Sequence, residues 1–144
     1  MKYKSYDIAR YIMYYCKENN FKYNNTKIQK LLFAVYGVLL AQDEPLIIDE
    51  SPKMWPYGPV FPTVFNKIKE EDFRPLNMQF DSENTKSIID TTLSYFAKFS
   101  ARALSDWSHE KGSPWDKVKS LHGEKWGEDL QDRDIRSYFK EMIS

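Results

Sequence analysis

One cysteine, two histidines, five glycines and no net charge are what the chain has to work with, and each scarcity removes a class of function. Cys16 alone cannot close an internal disulfide, so nothing marks an oxidising compartment. Cys16, His109 and His122 are the only thiol and imidazole ligands, and they lack the spacing of a zinc site, which normally closes with four ligands. No metal and no cofactor are therefore expected. Gly58, Gly112, Gly123 and Gly127 form no phosphate-binding loop. With 21 basic and 21 acidic residues the chain has no overall attraction to nucleic acid or to an anionic membrane, and no basic recognition helix stands out. No run approaches the roughly 20 apolar residues that span a bilayer. Met1 to Tyr6 lacks the apolar centre of a signal peptide. A cytoplasmic location is the expectation.

What the chain does have is apolar and aromatic residues, the latter 16% of 144, spread along its whole length. A chain this long buries roughly two-thirds of its unfolded surface, enough for a core without staples. With no internal repeat, linker or low-complexity tract, one domain over residues 1–144 is expected.

The periodicity is mostly helical. Ile8, Tyr11, Ile12, Tyr15 and Cys16 make one apolar stripe, with Ser5 as candidate cap and Asn19–Asn20 as the stop. Thr26 and Gln29 have capping-box spacing. The helix after them, through Leu40, is apolar almost all round and should be the most buried. Gly37 inside it costs about 1 kcal/mol against alanine, which close approach of a neighbour would explain. Prolines 45, 52, 56, 59 and 62 punctuate the next stretch. There Leu46–Ile48 and Lys53–Trp55 are candidates for a hairpin across Asp49–Ser51, and Pro62 suits the first position of a helix. Further helices are expected over Thr85–Phe99, after Ser100, after Ser113–Pro114, and from Asp132, with Ile135, Tyr138, Phe139 and Met142 inward. Leu121–Leu130 reads as a loop. The fold class is mainly α: a helical bundle with a small β-hairpin inserted after the central helix.

Three stretches, in order, carry a resemblance. Thr26-Lys27-Ile28-Gln29-Lys30-Leu31-Leu32-Phe33 is the first. The second holds Trp55 and Tyr57-Gly58-Pro59, followed by Val60 and Pro62. The third is His109-Glu110-Lys111-Gly112-Ser113-Pro114-Trp115, and Asp134–Phe139 closes the chain in a similar manner. Together they resemble the Panacea domain family, the SocA-like antitoxins and GepA-type phage-associated proteins. Gln42-Asp43-Glu44-Pro45 departs from the pattern, since the family more often has glycine before that proline. The resemblance implies an antitoxin that neutralises a protein toxin, typically encoded beside it, by direct contact. In the founding type it also implies delivery of the toxin to a AAA+ protease. Many such antitoxins carry an extra domain, for which 144 residues leave no room, so specificity is expected on the shared domain itself.

The candidate partner-binding residues are Trp55, Tyr57, Gly58, Pro59, His109 and Trp115. Large amphipathic rings on a stiff, proline-rich loop give contact area at low entropic cost. The competing reading of Trp55 is that its ring closes the core over the central helix. For His109 and Trp115 it is that they secure a helix end. Catalysis by His109 and Ser113 would need a base within hydrogen-bond reach and a third orienting group, and Ser113 is better placed as a helix cap. No catalytic residue is assigned. Lys27 and Lys30 flank the first turn of the central helix and could meet an acidic partner; the plainer reading is of solvated lysines. Two other functions stand beside the antitoxin: a phage accessory protein that binds a host or defence factor, and a DNA-binding regulator with a helix-turn-helix in the first two helices or the fourth and fifth.

Overall fold

The computed structural model describes residues 2–44, 47, 49–123 and 126–144. In chain order its elements are α1 (Ser5–Glu18), α2 (Asn25–Ala41), β1 (Lys53–Trp55), β2 (Gly58–Val60), α3 (Pro62–Glu71), α4 (Glu83–Phe96), α5 (Ala101–Ser108), α6 (Pro114–His122) and α7 (Asp132–Ile143). This is the mainly helical bundle with an inserted hairpin that the periodicity predicts.

From Lys27 to Ala41 every residue of α2 is buried, and α1, α4, α5 and α7 pack around it. A helix apolar on all sides must be surrounded, because each fully buried Leu, Ile or Phe is worth about 1.5–3 kcal/mol relative to exposure. Ile8, Tyr11, Ile12 and Cys16 of α1 face inward as their spacing demands, and burial pushes the Cys16 thiol up to about 11. Phe33 of α2 sits edge-on to Phe139 of α7, with centroids 5.5 Å apart.

Gly37 is the contact point of α2 and α7. A Cβ there would lie 2.1 Å from the Phe139 ring. That ring is fully buried among Phe33, Trp107 and Tyr138, so it has little room to withdraw. Gly37→Ala is therefore expected to lose roughly 1–2 kcal/mol net, the overpacking exceeding alanine's better helix propensity. Urea denaturation checks this. Phe139→Leu should cost less in the Gly37→Ala background than alone; equal costs would show that the two positions do not touch.

Four local expectations are corrected. Ser5 does not cap α1. Its backbone N–H donates to Asp49 Oδ1 (2.9 Å) and its hydroxyl to Asp49 and Glu50, so the cap comes from a distant loop. Nor do Thr26 and Gln29 form a capping box: Asn24 Oδ1 accepts from the Lys27 N–H (2.8 Å), leaving Gln29 to point elsewhere. Lys53–Trp55 pairs antiparallel with Gly58–Val60, Trp55 opposite Gly58, and not with the segment before it. Of that segment, Pro45, Leu46 and Ile48 lie outside the described residues, while Ile47 bridges to Tyr3. Met142 is 39% exposed rather than inward.

Other signals hold. Pro62 opens α3, and Ser100 and Ser113 accept from the amides of Ala103 and Asp116 as helix caps. The fourth helix begins two residues before its expected start and ends three before its expected end, capped by Ser82. Helix α6 takes in Leu121 and His122, the first residues of the expected loop, whose Glu124 and Lys125 lie outside the described residues.

Candidate functional site

The hairpin has two prolines in a short span, Pro56 and Pro59, and so carries more carbonyl acceptors than amide donors. Four of these carbonyls, two on buried or half-buried residues and two at the exposed tip, take donors from side chains of α2, α5 and α6 and from His109 just past α5. Trp115 Nε1 donates to Trp55 O (2.8 Å), and His109 Nε2 lies 2.7 Å from Pro56 O. Ser105 Oγ donates to Tyr57 O (2.9 Å) and Lys30 Nζ to Pro59 O (2.8 Å). Just beyond, the Phe61 N–H donates to Gln29 Oε1 (2.7 Å). The outer side of β1 is held by backbone bonds, Met54 N–H to Glu128 O and Gly127 N–H to Met54 O, both 2.8 Å, and by an ion pair between Lys53 and Asp129.

The three motif stretches thus meet at one place. Gly58, at φ +108°, is the point of closest approach, because a Cβ on it would lie 2.4 Å from Ser108 Oγ and 2.7 Å from Lys30 Cε. His109 bridges two elements: its Nδ1 lies 2.5 Å from Ser105 O as well as Nε2 on Pro56 O. An imidazole with one N–H donates to one of these carbonyls; with both nitrogens protonated it donates to both. The His109 ring stands edge-on to Trp115 with centroids 4.2 Å apart. Ser113 Oγ is engaged with Ser108 O and the Asp116 N–H, not with His109.

All six candidate residues lie in this cluster, but at different depths. Gly58, Pro59 and Trp115 are buried, and Trp55 and His109 are half-buried. The Trp55 ring packs edge-on against Phe65 of α3 (5.1 Å). Tyr57, at the tip, is 68% exposed. Beside the hairpin a cavity of about 300 Å³ is lined by Met54, Pro56, His109, Trp115, Lys119 and Trp126. Trp126, 59% exposed, is a site neighbour that sequence patterns do not single out, because it falls in no periodic run.

Lys30 is not solvated, and little of Lys27 beyond its ammonium is. Both are buried, Lys30 completely. Burial holds the Lys30 ammonium well below the ordinary lysine range, to about 7, and among the described residues no carboxylate pairs with it. The clamp roles of Gln29 and Lys30 do not follow from the sequence patterns above. The available signal was two polar residues inside an otherwise apolar helix.

Among the described residues no group of three or more His, Cys, Asp or Glu side chains is placed to hold a metal. Among the described residues no helix is long and apolar enough to cross a membrane. The family described as Antitoxin SocA-like, Panacea domain, matches residues 28–116, a span that contains every side chain of the clamp. The chain is 25% identical over 135 residues to Antitoxin SocA of Caulobacter vibrioides (strain NA1000 / CB15N), covering 81% of this chain and 72% of that protein. No solved structure matches.

Proposed function

The chain belongs to the SocA-like antitoxin family with a Panacea domain, and from that premise we propose that residues 1–144 act as a single domain that neutralises a protein toxin by direct contact. The family points to a regulatory rather than an enzymatic role. The toxin is expected to be encoded by an adjacent gene, and handing it to a AAA+ protease is a second step open to test.

The observation that carries the proposal is the hairpin tip. Its carbonyls are fastened from below by side chains of α2, α5 and α6, so Tyr57 is displayed on backbone that has little freedom left. A rigid exposed ring is a good binding anchor, because little conformational entropy is lost on docking. Tyr57 and Trp126 form the contact surface, with Trp55 and His109 at its edge. Gly58, Pro59 and Trp115 act from beneath by fixing the shape of the tip.

The test is co-expression of the tagged chain with the adjacent open reading frame, followed by capture and measurement of affinity. Tyr57→Ala is expected to weaken the complex by at least about 2 kcal/mol, roughly 30-fold, with an unchanged melting temperature. Trp115→Ala should lower stability and binding together. If the toxin is bound but both Tyr57→Ala and Trp126→Ala leave the affinity unchanged, the hairpin tip is not the surface. A toxin whose level falls only when the antitoxin and a AAA+ protease are both present would add the adaptor step.

A further inference from the structure

A second cavity, about 370 Å³, opens where the start of α2 and the start of α5 come together. It is separate from the hairpin cluster, sharing no lining residue with the cavity beside it. Every charged residue that lines it is a lysine: Lys22, Lys27 and Lys98. In a chain of zero net charge this is a local concentration of one sign.

Lys27 is the unusual member. It is 5% exposed, yet among the described residues its ammonium has no hydrogen-bond or ion-pair partner, only the face of Phe21 with the ring centroid 5.6 Å away. Its stem is buried, which lowers the Lys27 pKa, while the ammonium itself stays open to the cavity. The two helix starts add to the positive character. Asn24 Oδ1 is taken by the Lys27 N–H and Ser100 Oγ by the Ala103 N–H. The amide of Ala101 in α5, which lines the cavity, therefore remains a first-turn donor without an intrahelical acceptor. Helix N-termini carry partial positive charge and attract anions.

We propose that this cavity binds a phosphate group, free or carried on a small phosphate ester, with the Lys27 ammonium and the Ala101 amide at the start of α5 as its donors. Three ammonium groups and two helix N-termini match a dianion better than a single carboxylate. The cavity has room for more than the bare anion, and Phe21 and Phe99 in its wall offer an apolar face to an attached group. The proposal does not depend on toxin binding.

The experiment follows backbone amide resonances of the full chain at constant ionic strength while sodium phosphate, AMP or adenosine is added, with sodium chloride as control. The expected result is saturable shifts at Lys27, Ser100 and Ala101 with phosphate and with AMP, and none with chloride. Lys27→Met should weaken binding by about tenfold or more, since a charge-assisted donor is lost. It should keep the fold, because methionine keeps the apolar stem and the Lys27 ammonium makes no hydrogen bond or ion pair among the described residues. Should it not fold, the exposed pair Lys22→Ala/Lys98→Ala carries the same expectation. Equal affinities for phosphate and AMP would identify the phosphate group as the whole ligand. Tighter AMP binding, with added shifts at Phe21 and Phe99, would identify an ester. Absence of saturable shifts, binding of adenosine as tight as AMP, or unchanged affinity in the lysine variants would overturn the proposal.

Discussion

Gly58→Ala is expected to destabilise the protein by about 3–5 kcal/mol, more than almost any single methyl group added elsewhere in the chain. Two costs add. The backbone at Gly58 has φ +108°, a region that side chains with a Cβ rarely enter. The new Cβ would also meet Ser108 Oγ at 2.4 Å and Lys30 Cε at 2.7 Å. Neither neighbour can retreat cheaply. Ser108 is buried and its hydroxyl donates to Ser105 O (2.8 Å), while Lys30 is stretched to Pro59 O. Moving either breaks a bond that satisfies a carbonyl, or leaves a buried donor unpaired. Chemical denaturation reads the loss as a lower midpoint. Ser108→Gly in the Gly58→Ala background should recover part of it by removing the nearest atom, and the strain of the backbone should persist. A Gly58→Ala protein within about 1 kcal/mol of wild type would mean that the tip moves freely and that the clamp is weaker than its hydrogen bonds suggest.

Lys30→Met should change sign with pH. In the folded chain the Lys30 ammonium titrates at about 7, because it is wholly buried. In the unfolded chain it titrates near the ordinary lysine value of about 10.4. Below pH 7 both states hold the proton, and the full cost of burying the charge is present. Between those two values the unfolded state binds the extra proton, so wild-type stability rises with pH, by up to roughly 4–5 kcal/mol. Methionine has no such dependence. At pH 6 Lys30→Met should be the more stable by about 2–3 kcal/mol, the removed charge outweighing the lost bond to Pro59 O. Near pH 10 only the lost bond is left, and the variant should be the less stable by about 1 kcal/mol. Taking the difference between the two proteins cancels other titrating groups. These include Tyr11 and Tyr36, whose pKa values are raised by burial and by their bonds to Asp90 and Asp132, and which cost stability in both proteins at alkaline pH. Urea curves from pH 6 to 10 decide it; a difference that does not vary with pH would show that Lys30 keeps its charge in the folded state.

Both effects arise where three separated stretches converge, and neither residue is conspicuous by itself. Recognising the stretches brought all six candidate residues to one cluster, but their depth was not legible. Trp115 and Tyr57 look equally suitable as anchors in a sequence. Burial separates them, because Trp115 reaches under the hairpin to bond Trp55 O while Tyr57 stands at the tip. Lys30 was read as solvated because lysine is almost never fully buried unless paired. Its partner here is a neutral carbonyl 29 positions away, which no local pattern announces.

What the amino-acid order determined by itself is what short-range physics controls. The all-round apolar run made α2 the centre of the molecule. Pro62, Ser100 and Ser113 set helix starts through fixed φ or a side-chain acceptor, and Gly37 marked a close crossing. These follow from periodicity and from groups within a few residues of each other. Only the tertiary structure decided which strand pairs with Lys53–Trp55, that Asp49 rather than Ser5 caps α1, and which side chains hold the hairpin. The physical reason is the same in each case. A backbone group left without a local partner must be satisfied, but any donor or acceptor in the chain will serve. For the clamp those donors come from 29 to 60 positions away, chosen by how the helices pack.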